Sequence, residues 1–400
     1  MKMFQYLKPS FVIAIAACSL WSCNNEEGKS RYFSVKLDGE ERWSILDTKS
    51  GEVLCKNDFK STPESVDNGL FAVRNSDGYY EVFDVDNPNQ SLISGKWIQI
   101  GNFFAGNNYT FAVKEGKAIS IINKNFEEVK VLPKSITMSY NFTDGLAAFC
   151  KDGKWGFLNE DGEEVIKAKY DSVWQFKEGL TWANKGDKVY LIDKNGEVVK
   201  SFNKGVYSPL TEFSDGLAAL SKDDKVVFVD KKGEVVLSNS KLKYGYYYSH
   251  HYGVITYYDG DNWGLMDTEG NIIVKAKYNS IAYVCKDRYI AQKDDKWGAI
   301  DAKGDTVIDF DYVGIAQNST ESSLYFILND KNKVLLINES GDEICKEEFS
   351  DVNFNVTNMF YSDVERVEFE EEPTLSETTV AAVDSICGEV YEPDEYDYGY

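Results

Sequence analysis

Residues 243–253 hold the densest group of side chains that could bind a ligand. A tyrosine ring stacks on a sugar or a peptide while its hydroxyl group forms a hydrogen bond with the same ligand. The segment is therefore a candidate binding surface for a glycan or a protein, and its alternative role is packing around a long connection. It brings five tyrosines together with both histidines of the chain: Tyr244, Tyr246, Tyr247, Tyr248, His250, His251 and Tyr252.

The same residue types give little support to metal binding or catalysis. Neighbouring residues of a strand point to opposite faces, so His250 and His251 would not share a metal ion, and the sequence offers no third ligand. Among 66 acidic residues, no spacing singles out a pair for acid–base catalysis. We therefore expect no metal, no cofactor and no enzymatic activity, with a hydrolase that uses unrecognised carboxylates as an alternative.

The charge of the chain excludes several classes of partner. Its 43 basic and 66 acidic residues give a net charge of −23. No basic surface is available to displace counterions from phosphates, so we expect no nucleic-acid partner. A hydrophobic content of 43% nevertheless allows the chain to bury a large core.

The first residues of the chain have the features of a targeting signal. An apolar run over residues 11–20 follows two lysines and is too short to span a bilayer, but it suits a secretory signal peptide. The run ends in Leu20, Trp21, Ser22 and Cys23, which resembles the lipobox of bacterial lipoproteins. The alternative is an ordinary secretory signal with a chance cysteine.

The lipoprotein resemblance implies that residues 1–22 are removed, that Cys23 is lipidated, and that residues 23–31 form a tether. It also implies an outer-membrane location, with the lipid chains holding the protein at the bilayer. Glu26 and Glu27 resemble the surface-export signal of some outer-membrane lipoproteins, so exposure at the cell surface is expected from this pair alone.

The remaining cysteines do not form a disulfide framework, because they are scattered and odd in number: Cys55, Cys150, Cys285, Cys345 and Cys387. Cys55 and Cys345 each follow a turn glycine by four residues, in the first and last repeats described below. A bridge between them would clip a ring together. Equivalent positions of adjacent sheets lie about 10 Å apart, so two buried thiols are the expected state.

One motif recurs along the middle of the chain with a period of 34 to 38 residues. A fixed period of this length indicates stacked supersecondary units that cannot bury their faces alone. Strict phase with the strands makes the tryptophans packing residues rather than ligand platforms. The repeated positions are Trp43, Tyr80, Ala118, Trp155, Val189, Val226, Trp263, Trp297 and Val334.

A turn with Asp or Asn at its first position and Gly at its fourth follows most of these positions. The Asx side chain caps such a turn and the glycine takes the left-handed conformation, which closes a tight hairpin. The following strands are apolar on both faces, as in a small sheet that lies between two others. The sequence therefore predicts an all-β array of short antiparallel meanders over residues 32–362. The favoured form is a β-propeller of about eight blades, and an open β-solenoid is the alternative.

Three repeats share a Trp-Gly pair, formed by Trp155 and Gly156, by Trp263 and Gly264, and by Trp297 and Gly298. This pattern, with its trailing turn, is similar to the WG-repeat family of bacterial proteins. The resemblance covers about residues 32–352. It implies repeated β-meanders and carries no reaction or ligand with it.

Residues 363–400 form an acidic, tyrosine-rich tail with 13 acids and one base. Together these features indicate a lipid-anchored, non-enzymatic envelope protein that binds or scaffolds a protein or glycan partner through its repeats. A carbohydrate-binding surface lipoprotein is the second alternative, beside the hydrolase.

Overall fold

The structure is a computed structural model that describes residues 31–353, apart from 68, 104–106, 224, 244–248 and 318–322, together with 359–361. The predicted signal peptide, the tether up to residue 30 and the acidic tail lie outside the described residues. Within the described residues, no helix is long and apolar enough to cross a bilayer.

Every regular element of the described residues is a β-strand, and each strand pairs antiparallel with its neighbours. The strands in chain order are β1 (Tyr32–Leu37), β2 (Trp43–Asp47), β3 (Glu52–Phe59), β4 (Glu64–Asp67), β5 (Leu70–Arg74), β6 (Tyr80–Asp84), β7 (Trp97–Ile100), β8 (Tyr109–Lys114), β9 (Ile119–Asn123), β10 (Glu128–Val131), β11 (Ile136–Tyr140), β12 (Leu146–Lys151), β13 (Lys154–Asn159), β14 (Glu164–Tyr170), β15 (Ser172–Val173), β16 (Leu180–Lys185), β17 (Lys188–Asp193), β18 (Val198–Asn203), β19 (Tyr207–Pro209), β20 (Leu217–Lys222), β21 (Lys225–Asp230), β22 (Val235–Lys243), β23 (His250–His251), β24 (Val254–Tyr258), β25 (Trp263–Asp267), β26 (Ile272–Tyr278), β27 (Ser280–Cys285), β28 (Arg288–Lys293), β29 (Lys296–Ile300), β30 (Thr306–Tyr312), β31 (Gly314–Ala316), β32 (Leu324–Leu328), β33 (Val334–Asn338), β34 (Phe349–Asn353) and β35 (Met359–Tyr361).

The strands form nine meanders of three or four strands, one for each repeated position of the sequence. The third strand of each meander starts at or next to one of those positions. In the first meander, β34 is the first strand and β1 the second. The third strands are β2, β6, β9, β13, β17, β21, β25, β29 and β33. Where a fourth strand is described, it lies at the edge of its sheet; these strands are β3, β10, β14, β18, β22, β26 and β30. We number the repeats 1 to 9 in the order of their third strands.

The array closes on itself, as a propeller does and an open solenoid does not. The first strand of repeat 1 comes from the other end of the chain, because β34 pairs with β1 and places Val352 opposite Val35. Across the same junction, the rings of Phe33 and Phe326 meet edge to face with their centroids 5.0 Å apart. Buried apolar clusters likewise join every neighbouring pair of repeats, including repeats 9 and 1.

The number of units differs slightly from the expected eight. Hydrogen bonding divides the described strands into seven sheets, and two of these contain seven strands and span two repeats each. The two long sheets arise because a single residue pair, Tyr80 with Trp97 or Val334 with Phe349, links one repeat to the next. Nine repeats therefore share seven sheets, and β35 adds a fifth strand beside β11 in repeat 4.

The predicted turns form as the sequence indicates. In the turn after β21, the backbone N–H groups of Lys232 and Glu234 both donate to the Asp230 carboxylate at 2.9 Å. Gly233 then takes a φ of 73°. The corresponding turns after β13, β17, β25, β29 and β33 use their first Asp or Asn in the same way. In each of these turns, one side-chain oxygen of the first Asp or Asn thus accepts hydrogen bonds from the backbone.

The Trp-Gly glycines are required by a close backbone approach. In repeats 4, 7 and 8 the fourth strand bulges, which shifts the register between the partners of the third strand. The bulge lies over the glycine, so a Cβ on Gly264 would stand 2.5 Å from the Val274 carbonyl oxygen, and one on Gly298 would stand 2.5 Å from that of Ile308. Gly156 meets the same kind of contact. In repeat 5 the strands pair in register at this point, and a tyrosine, Tyr190, occupies the position.

The cysteines of the first and last repeats face different neighbours. The Sγ atom of Cys55 lies 3.6 Å from the Val85 carbonyl oxygen of repeat 2, whereas Cys345 is buried in the cluster shared by repeats 9 and 1. Both are free thiols, as are Cys150 and Cys285, while Cys387 lies outside the described residues. Burial raises the pKa of Cys55 to about 11, so this thiol stays protonated. Cys55 and Cys345 are therefore free thiols in the structure and do not form a disulfide with each other.

Candidate functional site

The tyrosine-rich segment is only partly described. Tyr244 and residues 246–248 lie outside the described residues, and the description resumes at Ser249. His250 and His251 then form β23, the first strand of repeat 7, and pair with Ile255 and Val254 of β24. Their exposed fractions are 3% and 2%, so both imidazoles lie inside the array rather than on its surface.

His250 occupies a position that phenylalanine fills in the three preceding repeats. Phe142, Phe176 and Phe213 each stand four residues before the second strand of their repeat and are almost completely buried, and His250 stands four residues before Val254. Its Nε2 donates to the Leu217 carbonyl oxygen at 2.6 Å, while its buried Nδ1 has no hydrogen-bond partner among the described residues. Burial lowers the pKa of His250, so the ring stays neutral.

His251 is held by the neighbouring repeats. Its Nδ1 lies 3.0 Å from the Ser214 hydroxyl of repeat 6, and its ring stacks on Tyr283 of repeat 8 at a centroid distance of 3.9 Å. Burial, together with the neighbouring His250, lowers the pKa of His251 to about 3. Among the described residues, no three His, Cys, Asp or Glu side chains are grouped so as to hold a metal ion. The histidine pair is therefore a neutral packing element of repeat 7.

This neutral pair makes stability depend on pH, and His250→Phe should reduce that dependence. A histidine has a pKa near 6.5 in the unfolded chain, and burial lowers the folded-state values of both rings. The unfolded state therefore binds more protons as the pH falls below about 6.5, and folding stability decreases from there toward pH 3. We expect the urea midpoint to fall less between pH 7 and pH 5 in His250→Phe than in the wild type. An equal fall in both proteins would show that His250 does not contribute.

Tyr252 is the exposed member of the segment. Its exposed fraction is 55%, and its backbone takes a φ of 52° in the turn that precedes β24. The Nζ atom of Lys286 lies 5.6 Å from the centre of its ring, and the ring of Tyr283 lies 6.5 Å away. An open aromatic face beside a cation is thus what remains of the candidate binding surface in the described residues.

The repeated tryptophans lie in the packing between strands. Trp43, Trp263 and Trp297 are at most 7% exposed, and each pairs with the last residue of its own fourth strand. Trp155 is less buried and packs on Tyr140 at a ring distance of 5.2 Å. These indole rings pack inside the array, so they do not form an exposed surface for a ligand.

The fourth strands carry most of the exposed aliphatic side chains of the described residues. Since these strands lie at sheet edges, we call them the rim of the array. Five successive repeats, 3 to 7, contribute to this aliphatic rim with Val129, Val131, Val165, Val198, Val199, Val235, Val236, Ile272 and Ile273.

A groove lies in the rim between repeats 5 and 6, and we call it the β18 groove. It has a volume of about 440 Å³ and is lined by residues 200–203 of β18, by Tyr207, and by residues 233–235. Phe202 forms its floor and meets Tyr207 at a ring distance of 5.2 Å. The exposed Val235 lies in its lining, and Val198, Val199, Val206 and Val236 are exposed valines near these segments in the sequence.

Lysines surround the β18 groove. Lys200 pairs with Glu234 at 2.8 Å across it, and Lys188 donates to the side-chain oxygen of Asn203 at 2.5 Å. Lys222 lies over the ring of Tyr207 at 5.2 Å, and its hydrogen bond with that residue raises the pKa of Lys222. Lys200 and Glu234 thus line the groove, while Lys188 and Lys222 contact its lining residues Asn203 and Tyr207, and Asp223 lies near Lys222.

The sequence gives little sign of this surface. Its only signal is the pair of β-branched residues that follows each turn, as in Val198 with Val199, and Val235 with Val236. The same pairs fit a strand that is buried on both faces, and the sequence does not distinguish an edge strand from a central one.

Solved structures resemble this chain in fold. A eukaryotic initiation factor aligns with a TM-score of 0.55 at 10% identity, over 80% of this chain and 96% of that one. The computationally designed Ika8 protein aligns with a TM-score of 0.39 at 12% identity, over 72% and 96% of the two chains. BamB from Moraxella catarrhalis aligns with a TM-score of 0.36 at 9% identity, over 70% and 89%.

At the level of sequence, no curated protein matches the chain. A family profile does, and its description is WG containing repeat. It matches residues 120–155, 155–188 and 263–297, which include two of the three Trp-Gly pairs in full and the tryptophan of the third. These three stretches of the array are WG-containing repeats, the family that the Trp-Gly pairs indicated.

Proposed function

We propose that this protein is a lipid-anchored, non-enzymatic module of the bacterial outer membrane that binds or scaffolds a partner protein. The observation that carries the proposal is the aliphatic rim. Large aliphatic side chains are exposed on the edge strands of five successive repeats, while the interfaces between the repeats are filled. Exposed aliphatic side chains repeated on neighbouring edge strands supply apolar area for a partner to bury, and exposed apolar patches mark sites of interaction.

The geometry of the array suits such a role. Closure through β1 and β34 ties both ends of the repeat array into one sheet, so the rim is presented on a rigid support. Most of the fourth strands contain a lysine, for example Lys130, Lys167 and Lys275. Charged side chains on edge strands hinder edge-to-edge pairing with other copies of the protein. A surface guarded in this way favours selected partners over self-association.

The anchor assigned to Cys23 would hold this surface close to the membrane. The strand β1 begins at Tyr32, so only residues 24–31 separate it from the proposed lipid attachment. Even a fully extended tether of this length reaches about 28 Å. The bound partner would accordingly lie at the membrane surface or be part of it.

Replacement of Cys23 tests the anchor and the partner together. We expect Cys23→Ser to move the protein from the membrane fraction to the soluble fraction and to abolish its labelling with a fatty acid. Crosslinking in intact cells should give a defined partner with the wild type and lose it with Cys23→Ser. Fatty-acid labelling that persists in Cys23→Ser would contradict the anchor, and a wild type without a crosslinked partner would contradict the binding role.

The exposed ring of Tyr252 favours carbohydrate binding as a second candidate. An open tyrosine face beside Lys286 offers both a stacking surface and a hydrogen-bond donor to a sugar. A glycan array on which the wild type binds and Tyr252→Ala does not would favour this candidate. Turnover in a broad hydrolase screen would instead overturn the non-enzymatic role.

A further inference from the structure

We propose that the β18 groove binds an extended, acidic segment of a partner protein, which adds to β18 as a further strand. The inference rests on the proposed binding role and assigns it a place and a class of ligand. Its basis is the combination of a strand edge that no other described strand pairs with, an aromatic floor, the exposed Val235 and three lysines in or beside the groove.

The strand edge determines the conformation of the ligand. Among the described strands, β18 pairs with β17 alone and ends its sheet. Its second edge therefore carries backbone N–H and C=O groups that no other described strand pairs with, on the strand whose residues 200–203 line the groove. An extended peptide satisfies such groups by main-chain hydrogen bonds. A helical ligand has no free backbone groups to offer there.

The cavity determines which side chains the ligand carries. A volume of about 440 Å³ over Phe202 and Tyr207 accepts aliphatic side chains, which would also cover the exposed Val235. Because side chains of a strand alternate between its faces, the ligand needs apolar residues at every second position. Burial of this valine would stabilise the complex by the removal of apolar surface from water.

The lysines determine the charge of the ligand. Lys200 and Glu234 form an exposed ion pair, and such a pair contributes little stability, so Lys200 can turn toward a carboxylate of the ligand at small cost. Lys188 and Lys222 supply two more cations beside the same groove. The remaining surface of this acidic chain would repel an acidic peptide, so the groove is the place where its charge is matched.

Peptide titration of the full chain, purified in detergent, tests this assignment. The probe is a fluorescent nonapeptide in which valine and glutamate alternate, followed by fluorescence anisotropy. We expect saturable binding that weakens at least tenfold in Val235→Glu. Val131→Glu places the same change at an equally exposed valine of β10 and should alter the affinity less than twofold.

Two further peptides separate the elements of the proposal. A version with lysine in place of glutamate tests the charge, and a version with a central proline tests strand addition, because proline cannot donate its share of the main-chain hydrogen bonds. Both should bind at least tenfold more weakly than the acidic probe. The proposal is overturned by absence of saturable binding, by equal effects of Val235→Glu and Val131→Glu, or by full affinity of the proline peptide.

The outcome is distinguishable from a failure of the proposed function. If crosslinking in cells still gives a partner with Val235→Glu at the wild-type level, the protein is a binding module whose partner sits elsewhere on it. If no partner is captured by the wild type, the binding role itself fails, whatever the peptide does.

Discussion

Gly264→Ala should lower the free energy of unfolding by roughly 2–3 kcal/mol, the usual cost of forcing extra atoms into a closely packed site. The new Cβ would stand 2.5 Å from the Val274 carbonyl oxygen and 2.8 Å from the Ala276 amide nitrogen. Both atoms belong to the backbone of the bulge in β26, so no side chain can turn away to make room. The bulge itself would have to shift, and with it the pairing of β25 and β26.

Urea unfolding measures this effect, and Gly205→Ala is the matched control. A Cβ at Gly205 meets no atom within 4 Å, so alanine there should be neutral or slightly stabilising by its effect on the unfolded chain. Gly298→Ala should behave like Gly264→Ala, since its Cβ would meet the Ile308 carbonyl oxygen at 2.5 Å. A Gly264→Ala protein as stable as Gly205→Ala would show that the bulge does not depend on glycine.

Removal of the closing strand should have the largest effect on the array. A chain that ends at residue 348 lacks β34 and β35, so β1 keeps only β2 and β11 loses β35. The buried Phe349 and Val352 are then absent from the junction of repeats 9 and 1. Each of those side chains contributes roughly 1.5–3 kcal/mol by burial alone. We expect the truncated chain to unfold at much lower urea, or to aggregate through the exposed edge of β1.

The control is a chain that ends at residue 362, which keeps β34 and removes only the acidic tail. It should unfold at the same urea concentration as the full chain. If the shorter chain does not fold, Val352→Ala provides the milder test, with an expected loss of about 2 kcal/mol from the cavity it leaves. Equal stability of the chains ending at 348 and 362 would contradict closure through β34.

The sequence determines the repeating unit well, because its signals are local. The Asx residue and the glycine of each turn, such as Asp230 and Gly233, act within five residues of chain, and the turn they predict is the turn observed. The Trp position marks the third strand for the same reason. The glycine that follows it was recognised as a motif, but its cause, the bulge of the fourth strand, became visible only in the structure.

Relations between distant segments were harder to predict. Which strand completes repeat 1 depends on a partner more than 300 residues away, and the period of the sequence does not determine it. The directions of Cys55 and Cys345 toward different neighbours depend on the same closure. The role of His250 could have been found by aligning the repeats on their second strands, which places it beside Phe142, Phe176 and Phe213.

Small-angle X-ray scattering of the full chain in detergent, at a contrast that matches the detergent, tests the closed ring most directly. Pairing of β34 with β1 requires the first and last repeats to be neighbours. We therefore expect a compact particle with a single-peaked distance distribution, which the chain ending at residue 362 shares. An elongated, rod-like profile would contradict closure of the ring and would favour the alternative architecture, an open β-solenoid.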